Sequence, residues 1–192
     1  MDFSLHPLDV FNCGKYDGVK FHEWDIRLKK DILTVDPEIL RQAMRHWATG
    51  VTIVSSRYGE LRHGMTVSSF TSVSVDPPLV LVSLQWGTRT NELIRQSGIF
   101  GITLLEHTQQ EISDRFAGRI SEYLDRFEGL DTFDLKTGAP LLVGGLAYLD
   151  CRVVLTYEVG GHSLVIGEVL AVKEGLTEQP LIYYNRNYRM LS

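Results

Sequence analysis

Between Gly64 and Ser83 the chain sets five serines and two threonines (Thr66, Ser68, Ser69, Thr71, Ser72, Ser74 and Ser83) among apolar and β-branched residues. A strand that had only to fill a core would carry Val, Ile or Leu at these places. Hydroxyls donate and accept hydrogen bonds, and short side chains leave the main chain open to close approach. The stretch therefore suits a polar, partly aromatic cofactor, rich in oxygen and nitrogen, lying along a strand edge. Thr88, Arg89 and Thr90 follow at a helix start, where hydroxyls, orphan N–H groups and a positive charge could meet a phosphate. The same threonines would serve equally as plain helix caps.

Other chemistries find less support. There is no Gly-x-Ser-x-Gly elbow, and neither Cys13 nor Cys151 has a histidine near it in sequence. Cys151, between Asp150 and Arg152 in an apolar run, reads as a core residue. The six histidines are scattered without His-x-x-x-His spacing, so no metal is expected. Neither a Walker loop nor a Gly-x-Gly-x-x-Gly turn occurs, so a nucleotide would be held by other means.

These groups must be positioned by a mostly β chain. Residues 1–35 carry isolated aromatics (Phe11, Tyr16, Phe21, Trp24) without a sustained period and read as an extended arm; residues 36–192 read as one domain. Asp36-Pro37-Glu38 opens a helix with an apolar stripe of Leu40, Ala43, Met44 and Trp47, stopping at Gly50. Strands follow over Val51–Ser56, the hydroxyl-rich stretch as far as Asp76-Pro77-Pro78, and Leu79–Leu84. A helix carrying Leu93 and Ile94 stops at Ser97-Gly98, before a strand over Ile99–Leu105. Thr108-Gln109-Gln110-Glu111 has the form of a capping box for a helix reaching Gly118, and Ser121–Phe127 reads as a further helical turn. Leu146–Val159 and Ser163–Lys173 flank Gly160-Gly161-His162 as a hairpin, and Leu181–Tyr184 is a last short strand. The expected class is mainly β with helical insertions, an antiparallel barrel closed or nearly so.

Composition narrows the partners. The 192 residues, 44% hydrophobic and 22% charged, can bury a full core. A formal net charge of −5 with no tight cluster among the 19 Lys and Arg argues against nucleic acid. Two unpaired-looking cysteines, no signal-like start and no long apolar run point to a reduced cytoplasmic setting without a membrane span.

Taken in order, several runs resemble the short-chain flavin reductases, the reductase partners of two-component flavin-dependent monooxygenases. They are Gln42 to Thr52, Gly64 to Ser83, Ser97 to Phe100, Phe116-Ala117-Gly118, Asp125-Arg126-Phe127, Gly138 to Leu141, Leu146 to Cys151, Gly161-His162 and Gly167-Glu168-Val169. The resemblance spans about residues 37 to 191. It implies a flavin-binding split β-barrel, a homodimer, that moves hydride from NADH or NADPH to FMN or FAD and releases reduced flavin to a monooxygenase. By that resemblance Thr66, Val67, Ser68 and Ser69 contact the flavin, Ser74 and Ser83 end the flanking strands, and Thr88 and Thr90 match phosphate or ribityl contacts. Phe116, Ala117 and Gly118 match a loop near the phosphate, and His162, Tyr184 and Tyr188 match nicotinamide contacts. Hydride transfer needs no side-chain nucleophile or base at the reacting carbon, so none is expected.

Two departures fall in the nicotinamide region. A Gly-Asp-His turn is usual, and Gly160-Gly161-His162 stands here; Tyr-Arg-Gly-x-Tyr is usual, and Tyr184-Asn185-Arg186-Asn187-Tyr188 stands here, with arginine in place of glycine. They keep open a non-catalytic flavin- or haem-binding split barrel, and Arg186 with Arg189 leaves open an oxidase acting on a phosphorylated pyridoxine.

Overall fold

A computed structural model describes residues 35–119, 124–176 and 178–191. The expected arm, with Cys13, lies outside them apart from its last residue. Contacts divide the chain into two units, Met1–Pro37 and Glu38–Ser192, and the second holds every described strand.

The order of elements is α1 (Pro37–Met44), β1 (Thr49–Gly50), β2 (Thr52–Tyr58), β3 (Leu61–Val67), β4 (Thr71–Ser74), β5 (Leu79–Gln85), α2 (Arg89–Ser97), β6 (Ile99–Leu104), α3 (Gln110–Asp114), β7 (Thr132–Phe133), β8 (Leu141–Leu142), β9 (Ala147–Val159), β10 (His162–Glu174), β11 (Ile182–Tyr184) and β12 (Asn187–Arg189). Seven strands form one antiparallel sheet in the order β3-β2-β6-β9-β10-β5-β4. Its two edges, β3 and β4, are consecutive in the chain and joined only by Ser68-Ser69-Phe70. Three residues cannot span seven strands' width, at about 4.8 Å per strand, so the sheet must curl until its edges approach. The result is a split β-barrel, open between β3 and β4 at the hydroxyl-rich stretch.

β2 explains why the barrel has packing on both faces. Successive side chains of a strand point to opposite sides, and residues Thr52 to Ser56 are all buried. Val54 joins a cluster with Val82, Leu84, Phe100, Ile102 and Val165, while Ile53 joins Leu105, Phe116, Phe127, Leu142 and Leu181. Buried hydroxyls on this strand are spent on the ladder's neighbours: Thr52 donates to Val67 O at 3.1 Å and Ser56 to Ile99 O at 2.8 Å. Gly167 shows how tight the first cluster is, since a Cβ there would lie 2.4 Å from the Phe100 ring. Any side chain at 167 would displace a fully buried phenylalanine, whose burial is worth about 2–3 kcal/mol. Cys151 lies in the same cluster, and burial with the Asp150 charge pushes its thiol up to about 12, which makes it inert.

Several local expectations are corrected. α1 ends at Met44, short of Gly50, and buries none of its residues: Leu40 is 56% and Met44 55% exposed, and Trp47, beyond its end, is 67% exposed. The stripe is real but is exposed rather than packed on the described core. The side chain of Thr88 does not cap α2; its hydroxyl donates to Gln85 O at 2.9 Å, while Gly98 ends the helix in the left-handed region as expected. The reciprocal box before α3 falls two residues early, with Glu106 N–H donating to Gln109 Oε1 and Thr108 N–H to Glu106 Oε1. Within the expected helical turn Ser121–Phe127, the described residues from Leu124 onward form non-helical turns instead, tied by Phe127 N–H to Asp125 Oδ1. The hairpin on Gly160-Gly161 forms as expected, both glycines having positive φ. β12 is an addition to the expected strands, because its turn, Asn185-Arg186, lacks the glycine that usually marks one.

Candidate active site

The open seam of the barrel holds a cavity of about 260 Å³. One wall is the end of β3 and its exit, Thr66, Val67 and Ser68. A second is the end of α3 and the wide turn after it, Ser113, Asp114 and Ala117, and a third is the β11–β12 hairpin, Tyr183, Arg186 and Tyr188. Hydrogen bonds fix the walls to one another. Thr66 donates to Ser113 O at 2.6 Å, and the Tyr188 hydroxyl lies 2.9 Å from Ser113 Oγ and 2.8 Å from Asp114 Oδ1. Ser68 is exposed, and Ser68 to Phe70 stand outside the sheet ladder, so this main chain is available to a ligand.

Four of the sequence-derived contacts, Thr66, Val67, Ser68 and Ala117, thus meet in one place with Tyr188. Tyr184 does not join them. Cross-strand pairing sets Tyr183 opposite Tyr188, with ring centroids 5.5 Å apart, and the pleat turns Tyr184 to the other face. Of the expected loop, Phe116 is core, stacked edge-on against Phe127 at 4.9 Å, and Gly118 takes φ +89° beside the exposed turn. Ser69 clips the seam shut at one point: its hydroxyl donates to Ser83 O at 2.7 Å and accepts from Ser83 N–H at 3.2 Å. Ser74 lies on β4 opposite Leu79 and does not line the seam cavity.

Thr90 is fully buried, its hydroxyl 2.8 Å from His63 Nδ1. His63, 2% exposed, is pushed down to about 4 by burial and by the Arg126 and Arg89 charges, with Asp125 opposing them. Arg126, 3% exposed, donates to Gly64 O at 3.0 Å and to Phe116 O at 2.9 Å. It ties β3 to the turn that carries Ala117, and a Cβ on Gly64 would meet Phe116 at 2.9 Å. Sequence reading misses this support because its members are 10 to 62 residues apart.

His162 stands exposed at the start of β10. Its partner across the ladder is Gln85, two residues or about 7 Å along β5 from Ser83. Nδ1 lies 3.2 Å from the Gly160 carbonyl oxygen, which can only accept, so Nδ1 is the donor of this pair. Beside it opens a second cleft of about 390 Å³, held by Glu158. That carboxylate accepts from Ser163 Oγ at 2.9 Å and from the Trp86 indole N–H, while Asn91 Nδ2 donates to Ser163 Oγ at 2.9 Å. Thr88, bonded to Gln85 O, is half-buried and lines neither cavity. No group of three or more His, Cys, Asp or Glu suited to a metal occurs among the described residues.

Residues 44–192 match the family model described as the flavin reductase like domain. The chain is similar to an NADH-dependent flavin reductase of Rhodococcus sp, 40% identical over 166 residues, covering 82% of this chain and 90% of the relative. It is also similar to the 4-hydroxyphenylacetate 3-monooxygenase, reductase component, of Thermus thermophilus, 35% identical and covering 80% and 96% of the two chains. Among solved structures, the styrene monooxygenase flavin reductase from Pseudomonas putida S12 superposes with a TM-score of 0.71 at 37% identity, over 80% of this chain and 97% of that one. Built as a split barrel and matched from the end of α1 through β12, the chain belongs to the flavin reductase-like domain family.

Proposed function

We propose that this protein is an NAD(P)H:flavin oxidoreductase that passes reduced flavin to a separate monooxygenase. The observation that carries the reading is the meeting of Thr66, Val67, Ser68, Ala117 and Tyr188 around one cavity at the barrel's seam. Those residues fit a flavin. Unladdered main chain and an exposed serine suit the polar edge of its ring system, and the Tyr183 and Tyr188 rings offer apolar faces with polar tips. Flavin, when bound, supplies the hydride acceptor, and the nicotinamide supplies the hydride.

The chain's own work is to hold and orient. Amides of Ser68 and Ser69, outside the sheet ladder, would donate to the polar edge of the ring system when it is bound, as preorganised dipoles do elsewhere. Tyr188, anchored by Ser113 and Asp114, keeps the opposite wall at a fixed spacing. His162, exposed at the start of β10, would meet the nicotinamide through a ring nitrogen. His162→Ala is expected to raise KM for the nucleotide about threefold to tenfold, the worth of one hydrogen bond, with flavin affinity unchanged. Stopped-flow reduction with wild-type concentration dependence would remove His162 from this role.

The relatives' names favour the reductase over a non-catalytic flavin or haem carrier. The exposed Ile39, Leu40 and Met44 of α1, with Trp47 just beyond it, support a homodimer, to be checked by light scattering. Among the described residues no helix is long and apolar enough to cross a membrane, and we place the enzyme in the cytoplasm. Oxidation of NADH and NADPH, each with FMN and with FAD, tests the function; activity with none of the four pairs overturns it.

A further inference from the structure

The turn between β11 and β12 is built against local preference. Asn185 has φ +48° and Arg186 φ +60°, the two left-handed positions of a tight hairpin. Asparagine tolerates that conformation; arginine, with its Cβ against the following carbonyl, does not, and glycine would sit there without strain. Yet this arginine lines the seam cavity together with Thr66, Ser68 and Tyr183. Among the described residues it is the only cation in the cavity's wall, and none of them forms a hydrogen bond or ion pair with its guanidinium. A strained residue held over a cavity, with its charge unspent, is a sign that the charge has a use there.

We propose that Arg186 binds a phosphate of the pyridine nucleotide and so sets which nucleotide the enzyme accepts. This rests on the reading that the cavity takes flavin against Thr66–Ser68 with the nucleotide above it. Arg186 is exposed on the hairpin's tip, at the cavity's outer rim, where the last ligand to arrive makes its contacts. A dinucleotide's negative groups are its phosphates, and a guanidinium meets two phosphate oxygens at once with its planar fork. The chain's formal charge of −5 and the Asp114 carboxylate in the same wall make a local cation necessary for such a ligand. Two phosphates are candidates, the pyrophosphate common to NADH and NADPH and the 2′-phosphate of NADPH alone.

The test compares wild type with Arg186→Gly and Arg186→Lys. Dissociation constants for NAD+ and NADP+ are measured by calorimetry on the flavin-loaded protein, those for FMN and riboflavin by fluorescence, and the melting temperature of each variant is recorded. Arg186→Gly is expected to weaken nucleotide binding about tenfold, with Arg186→Lys between it and wild type. Weakening of both nucleotides assigns the pyrophosphate, and weakening of NADP+ alone assigns the 2′-phosphate. Relief of the turn should raise the melting temperature of Arg186→Gly by about 2–4 °C, whereas a merely structural arginine would lower it. Unchanged nucleotide affinity, a lower melting temperature, or weaker FMN with riboflavin unaffected each overturns the inference. Wild-type protein that reduces no flavin with either nucleotide defeats instead the functional reading beneath it.

Discussion

Ser68→Trp is expected to weaken flavin binding about 100-fold or more while the melting curve stays close to wild type. The serine is exposed where the chain leaves β3, in the wall of the seam cavity, and it forms no hydrogen bond with a described residue. An indole there would fill space that the ligand needs and cover the main chain beside it. Such a loss corresponds to about 3 kcal/mol of binding, while an exposed substitution away from the core changes stability by about 0.5 kcal/mol or less. Its neighbours are poorer tests. Thr66 ties β3 to Ser113, and Ser69 bonds both main-chain groups of Ser83, so replacing either would disturb the seam as well as the ligand. Fluorescence titration with FMN and FAD reads the affinity directly. An unchanged dissociation constant in a folded Ser68→Trp would place the flavin somewhere other than this seam.

Where local chemistry decides an element, the sequence is legible. Two glycines with free access to positive φ make the β9–β10 hairpin, and Gly98 ends α2 for the same reason. The seam itself could be anticipated because hydroxyls displace aliphatic residues only where something other than packing is wanted. What stays hidden depends on contacts between distant residues. Whether α1's apolar stripe faces the core or the outside is the same pattern in either case. Tyr183 rather than Tyr184 faces the cavity because an unannounced turn at Asn185-Arg186 sets the register of β11 against β12. Thr90 looks like a phosphate ligand until His63, 27 residues earlier, is found to claim its hydroxyl. Arg126 falls in a run that carries the family resemblance, yet nothing beside it in sequence shows that it joins two walls of the site.

Acid should unfold the protein through His63, and the size of the effect follows from its burial. In the unfolded chain an imidazole takes its proton near pH 6.5, whereas in the folded protein burial and the Arg126 and Arg89 charges defer protonation to about 4. Between those values the unfolded state binds more protons, so stability from this group is complete above pH 6.5 and falls as the pH drops toward 4. From pH 7 to pH 4.5 the loss is about 2–3 kcal/mol, a large share of a single domain's stability. His63→Gln can keep a hydrogen bond to Thr90 without titrating. Urea unfolding at the two pH values should show that variant losing about 2–3 kcal/mol less than wild type, and equal losses would clear His63 of any part in acid sensitivity. The site shares the consequence. A second cation forced against Arg126 would press on the guanidinium that holds Gly64 and Phe116, and through them the wall bearing Ala117. Flavin should therefore be released at a higher pH from wild type than from His63→Gln.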